Sequence, residues 1–449
     1  MSTRRMRAGY GVGDFALNLH WNAIGMFLIF FYTDHLGLAP AAAGATFLVA
    51  SVWDALLDPL AGTLADRTRS RWGRFRPYIL VGGPVLALAL PLAFTDPGLT
   101  GAALTAFVLA SHMLLRTAYA FVSIPYAALS ARIARDPDER SRLAGVRMLF
   151  GTAATIVSAV AIPTIAAQTP GADGWTIAAG MMGMLSILGF AACVVWTREP
   201  VEVDTPPVSR GWRTELVREL SAYAAMVRAS PSLRRVIAII MLTSVALTMF
   251  SKMILYFFKY VLMAEASAPL ALFLLTGGAA LAIPLWVWLS IRRGKRKAWM
   301  IASWAAAANF AGFYLLGSAS FTLACIFLFL VGATTSAFAV LFWSMLPDTV
   351  EESELASGSR GEAKTFGLAI FAQKTALGIN GLLVGLLLPA IGFVANRPQS
   401  AESVHGIVAI MTLIPLAGVV LGMAVMRGYG LSADAHAAIR ARIGGTTAP

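Results

Sequence analysis

In SVWDALLDPLAG, residues 51–62, Asp54 and Asp58 stand four apart in an otherwise apolar run. On a helix, positions i and i+4 share a face, with Cβ atoms ~5–6 Å apart. Two carboxylates that close in a low-dielectric setting repel each other and lose hydration. They persist if a cation sits between them, if one holds a proton, or if a basic side chain neutralises them. Hard oxygens of this kind suit a sodium ion, and a shared proton is the other coupling ion they can carry. The competing reading is that arginines at the helix end pair with both acids and only lock helices together. Pro59 and the basic stretch after Asp66 lend that second reading some weight, while the cation or proton reading remains the preferred one.

Other ionisable groups lie in apolar stretches. Lys374, in IFAQKTALGING, needs a carboxylate partner, and Asp54 and Asp58 are the candidates. A lysine that neutralises the acids when the cation leaves, and is freed when it returns, gives a physical route to coupling. Alternatively, Lys374 snorkels through a tilted helix. Arg116, Tyr119 and Ser123 fall at i, i+3 and i+7, one polar stripe on a long helix, with Asn18 and Arg147 as further polar groups elsewhere. An arginine inside a membrane faces a cavity or a partner. Its fork also binds carboxylate or phosphate by two prongs, which points to an anionic substrate. Arg116 as a structural partner of the aspartates is the alternative.

The elements that hold these groups follow from composition. The chain has 449 residues, of which 58% are hydrophobic and 13% charged. A soluble domain cannot bury so much apolar surface. Twelve apolar spans are expected at 13–34, 42–64, 77–95, 102–131, 144–167, 175–196, 233–260, 267–291, 298–317, 320–346, 365–395 and 405–427. Each is long enough to cross ~30 Å of hydrocarbon at ~1.5 Å per residue. Cys193 and Cys325 lie in apolar runs and suggest neither a disulfide framework nor a metal site. No cleavable signal is visible at the N-terminus.

The net charge of +12 could suggest nucleic acid, but its placement argues against that. Basic residues cluster before span one and after spans two, four and eight, while the opposite loops are nearly bare except for Arg397. This is the positive-inside pattern, so both termini are expected in the cytoplasm. Residues 197–232 form a polar linker in which Leu216, Leu220, Tyr223 and Val227 make the apolar stripe of an amphipathic helix. The expected organisation is a six-helix half at 1–196, the linker at 197–232, a second six-helix half at 233–430 and a cytoplasmic tail at 431–449. DRTRSRWGRFRPYIL after span two and IRRGKRKAWMIA after span eight are matching basic turns, as two repeated halves require.

YGVGDFALNLHW, VWDALLDPLAG, SRWGRFRPYIL, SIPYAAL, DERSRLAGVRM, YFFKYVL, MLPDTVEESE and FAQKTALG occur in this order. Together they resemble the glycoside–pentoside–hexuronide cation symporters of the major facilitator superfamily, the family of the melibiose permease. The resemblance runs from about residue 10 to 390. It implies an all-α membrane protein with twelve transmembrane helices in two six-helix halves. It also implies cation binding at Asp54 and Asp58, coupling through Lys374, and Arg147 at a sugar site. Departures stand beside it. The aspartates that hold sugar on helices one and four of the melibiose permease correspond to Asn18 and Ser123. A helix-four threonine that helps ligate sodium corresponds to Ala120, and a helix-four tryptophan to Ala127.

The expected function is therefore secondary active symport, coupled to sodium or protons, of a glycoside or related sugar derivative by alternating access. The alternative is sodium-coupled transport of a lysolipid-like or other anionic amphiphile. Substrate is expected at Asn18, Arg116, Tyr119, Ser123 and Arg147. A cytoplasmic gate is expected where Asp66, Arg67, Arg71 and Arg74 meet Asp348, Glu351 and Glu352. An enzyme is not expected, because no HExxH or GxSxG motif falls in a span. No cofactor, no resident metal and no nucleic acid are expected. The partners are a small-molecule substrate (glycoside, uronide or lysolipid-like) and the bilayer, and the chain is expected to be a monomer.

Overall fold

The structure is a computed structural model that describes residues 3–133, 137–169, 172–199, 230–357 and 362–430, with five separate positions between 214 and 228. The expected amphipathic stripe of the linker and the 431–449 tail lie outside the described residues, apart from Val227.

Among the described residues, twelve helices are long and apolar enough to cross a membrane. They are α1 (Thr3–Asn22, extended by π turns to His35), α2 (Pro40–Arg67), α3 (Arg76–Ala93), α4 (Gly101–Ile133), α5 (Pro137–Gln168) and α6 (Ala172–Trp196). Then come α7 (Pro231–Tyr256, extended by a π turn to Val261), α8 (Ala268–Arg293), α9 (Lys295–Leu316), α10 (Phe321–Ser357), α11 (Glu362–Ala390) and α12 (Ala401–Arg427). Each expected span has its helix. Several run past the apolar stretch, because an exposed helical turn keeps its hydrogen bonds in water as well as in oil. Outward-facing side chains are large and apolar, as at Leu88 (70% exposed), Leu281 (74%) and Ile291 (78%), the surface that lipid rather than water covers.

The chain divides into two compact units. One comprises Met1–Trp212, Ala266–Phe273 and Gly381–Pro398; the other comprises Arg213–Glu265, Leu274–Asn380 and Gln399–Pro449. The first therefore takes in the start of α8 and the end of α11, which the division at the linker alone would assign to the second half. Glycines allow this. A Cβ on Gly44 of α2 would lie 2.7 Å from the Gly381 carbonyl and 2.8 Å from Gly385 Cα. Only small residues bring two backbones this close, and in hydrocarbon such approach supplies the packing contact.

Within the first unit α1 packs on α5 and α6, α2 on α4, and α3 on α4 and α6. Within the second, α7 packs on α12 and α10, and α9 on α10 and α12. The pairs α1–α6, α3–α4 and α3–α6 thus recur six helices later. The helix ends repeat as well. The Leu36 amide donates to Phe31 O (3.0 Å) and Leu38 to Tyr32 O (2.9 Å), while Leu262 donates to Phe257 O (3.0 Å) and Ala264 to Phe258 O (2.8 Å). The turn reverses through a left-handed residue, Gly37 at φ +65° in one unit and Met263 at φ +51° in the other. Glycine adopts this conformation freely and methionine at a cost. Phe31, Phe94 and Trp175 fill the core beside the first turn, and Trp175 Nε1 donates to His35 Nε2 at 2.8 Å. Phe250, Phe257, Phe310 and Phe313 do so beside the second.

Candidate functional site

The first unit assembles its polar groups on three helical stripes. Tyr10, Asp14, Asn18 and Trp21 recur at helical spacing along α1, and His112, Arg116, Tyr119, Ser123 and Tyr126 along α4. Asp54 and Asp58 stand one turn apart on α2, and Arg147 begins the apolar part of α5.

Two acid–base pairs form. Arg147 Nε donates to Asp14 Oδ1 at 2.9 Å, with the arginine side chain 43% exposed and the aspartate 9%. Asn18 Nδ2 donates to Asp14 Oδ2 at 3.1 Å and to the Asp14 carbonyl at 2.8 Å. A Cβ on Gly151 of α5 would come to 3.2 Å from Asp14 Oδ2, so a small residue makes room for the acid. The Arg147 guanidinium lies 6.0 Å from the Tyr10 ring and 5.8 Å from the Tyr126 ring, within cation–π range. Those rings stack at 4.5 Å, and each hydroxyl donates to the other residue's carbonyl, at 3.3 and 2.6 Å.

The second pair is deeper. Arg116 Nη1 lies 3.5 Å from Asp54 Oδ2, with side chains only 1% and 0% exposed. Arg116 Nε donates to His112 Nε2 at 3.3 Å, and the Trp21 ring lies 5.8 Å from the guanidinium carbon. Asp58, Tyr119 and Ser123 are half-buried, and Tyr119 lies 5.8 Å from Trp21 ring to ring. Of the two readings of Arg116, the pairing with Asp54 is the contact seen. Lys374 is buried on α11 in the second unit.

The expected gate residues each have local surroundings of their own. In the first unit Arg67 and Arg71 are exposed and Arg74 half-buried, while the side chain of Asp66 lies outside the described residues. Arg71 stacks on Trp72, its guanidinium 5.2 Å from the ring. The turn closes on Glu199, which accepts from the Phe75 amide at 3.0 Å and lies 3.8 Å from Arg132 Nε. Gly73, at φ +99°, is the residue that permits this turn, and a Cβ there would overlap the Glu199 carboxylate. In the second unit Lys295 donates to both Asp348 oxygens (2.8 and 2.7 Å) and to Ser344 O (2.7 Å). Glu352 accepts from Ser230 Oγ (2.5 Å) and Ser232 Oγ (2.9 Å), and Glu351 is half-buried.

Sequence reasoning passed over Asp14 and Glu199. Asp14 had a legible signal, since it stands four residues before Asn18 in the quoted GVGDFALN. Glu199 had none, because it lies in the polar stretch after α6 and meets its partners only through the fold.

A family model described as "MFS/sugar transport protein" matches residues 9–433. The isoprimeverose transporter of Lactiplantibacillus pentosus is 31% identical over 441 residues, covering 96% of this chain and 87% of the relative. An uncharacterized symporter, YnaJ, of Bacillus subtilis (strain 168) is 30% identical, covering 95% and 91%. Among solved structures, a D-xylose–proton symporter superposes with a TM-score of 0.69 at 15% identity, covering 96% of this chain and 98% of that one, a likeness of fold. The twelve spans, the repeated helix pairing and these matches identify a multi-pass membrane transporter rather than an enzyme. The chain belongs to the MFS/sugar transport protein family, the glycoside–pentoside–hexuronide branch of the major facilitator superfamily.

Proposed function

We propose that this secondary transporter carries a glycoside or related sugar derivative by cation-coupled symport with alternating access, in a bacterial inner membrane with both termini in the cytoplasm. The observation that carries the substrate reading is the half-exposed Arg147, its charge already matched by Asp14 and its neighbour Asn18 bound to the same acid. A neutralised fork of donors and acceptors beside aromatic rings suits hydroxyl groups of an uncharged sugar. An anion would have to compete with Asp14 for the same guanidinium. Arg116 is matched by Asp54 in the same way, so neither arginine favours a substrate carboxylate. Ser123, Tyr119 and Asn18 add further hydrogen-bonding groups on α4 and α1. The isoprimeverose transporter's name also favours a glycoside.

The coupling ion, sodium or a proton, is assigned to Asp54 and Asp58, with Lys374 as the responding base. The test is uptake into proteoliposomes of neutral methyl glycosides, methyl glucuronides and lysolipids under imposed sodium or proton gradients. Accumulation of a neutral glycoside, lost in Arg147→Gln and Asp14→Asn proteins that still fold, is expected. Accumulation of glucuronides or lysolipids alone would overturn the substrate assignment.

A further inference from the structure

Inside the first unit the cation beside Asp54 is a side chain. The Arg116 guanidinium is held on three sides: by the Asp54 carboxylate of α2 at 3.5 Å, by His112 Nε2 one turn back on α4 at 3.3 Å, and by the Trp21 ring of α1 at 5.8 Å. Both members of the ion pair are buried, so water does not screen the arginine's charge.

A sodium ion in this place needs a cage of hard oxygens and no positive neighbour. The donor set does not fit. One oxygen of Asp54 faces an N–H fork, the side chain one turn back from Arg116 on α4 offers an imidazole nitrogen, and a fixed guanidinium repels a second cation at such range. Asp54, Asp58 and Arg116 sum to one negative charge, half of what the aspartates alone would present to an incoming ion. Within this unit α11 contributes Gly381–Ala390, which has no ionisable side chain and adds no oxygen ligand of that kind.

We propose that Arg116 is the resident counter-cation of Asp54 and takes the place of an alkali ion, so that neither sodium nor lithium binds at Asp54 and Asp58. This rests on the symport reading and narrows its coupling ion; it departs from the sodium site that the family resemblance implies. Arg116 is thereby a residue that determines ion specificity.

The test compares full-length wild type, Asp54→Asn and Arg116→Gln proteins. Binding of radioactive sodium is measured in detergent, and thermal unfolding is measured in sodium chloride against choline chloride at equal ionic strength. Wild type is expected to bind no more sodium than Asp54→Asn and to unfold at the same temperature in both salts. Arg116→Gln, its repelling charge removed, is expected to bind sodium saturably and to unfold at a higher temperature in sodium chloride, as mass action requires. Saturable sodium binding by wild type that Asp54→Asn abolishes would overturn the proposal, as would a folded Arg116→Gln protein that binds none. If Arg116→Gln does not fold, wild type against Asp54→Asn decides by itself. Neither readout involves a sugar, so failed glycoside uptake would sink the transport reading alone. Glycoside uptake driven by a sodium gradient in wild type would sink this inference and leave the transport reading standing.

Discussion

Removing one partner of the Arg116–Asp54 pair takes the matching charge away from a group that does not meet solvent. Such a loss costs about 3–5 kcal/mol, whereas replacing both members by apolar groups of similar shape is close to neutral. Asp54→Leu and Arg116→Met are therefore each expected to lower the unfolding temperature sharply, and the double variant to recover most of the loss. Equal, additive losses in a thermal-melt double-mutant cycle would show that the two side chains are not coupled. The half-exposed Arg147 behaves differently, because water can solvate it once Asp14 is gone. Asp14→Ala is expected to cost about 1–3 kcal/mol, the range for a lost charged hydrogen bond, and less than either single change at the deeper pair. At this scale the sequence exposed the residue types and hid the partners. Asp54 and Asp58 read as a pair from their spacing, whereas Arg116, about sixty residues further on, could be read as a substrate group or as their partner until the fold set it 3.5 Å from Asp54.

Helix ends carry the next tests. The turn after α1 passes through Gly37 at φ +65° with open space around its Cα, so Gly37→Ala probes backbone strain with no steric clash. The expected cost is about 1–2 kcal/mol, read as a lower unfolding temperature. Met263 holds the matching place after α7, which shows that the turn is fixed by its two carbonyl-capping bonds and not by glycine alone. At the other end of α1, Arg7 donates to both oxygens of Glu139, at 2.7 and 2.5 Å, and clasps the starts of α1 and α5. This holds the Glu139 carboxyl below its ordinary 4.5. A depressed folded-state value contributes stability above the unfolded value and loses it as pH falls through the folded one. Glu139→Gln should therefore melt below wild type near neutrality, and the gap should close as the pH falls beneath 4.5. A gap that persists in acid would mean that the carboxylate charge is not what stabilises the clasp. The pair is half-buried and still reached by water, which keeps the effect small.

For the molecule as a whole, the asymmetry of basic residues predicts an orientation for all twelve spans, with both termini in the cytoplasm. A fluorescent protein fused after Pro449 should mature and fluoresce, and alkaline phosphatase inserted in the turn at 95–100 should be active outside. The reverse result would invert the topology. Number of spans and helical class follow from sequence alone, because each lipid-crossing helix satisfies its own backbone and must carry its own apolar run. The basic turns after spans two and eight read as a repeat for the same local reason. What only the tertiary structure decided is who meets whom: Asp14 with Arg147, Arg116 with Asp54, Glu199 with the turn at Gly73, and the end of α11 with α2 at Gly44. Those contacts join residues far apart in the chain, and helical periodicity fixes the face a side chain occupies but not the helix that face is pressed against.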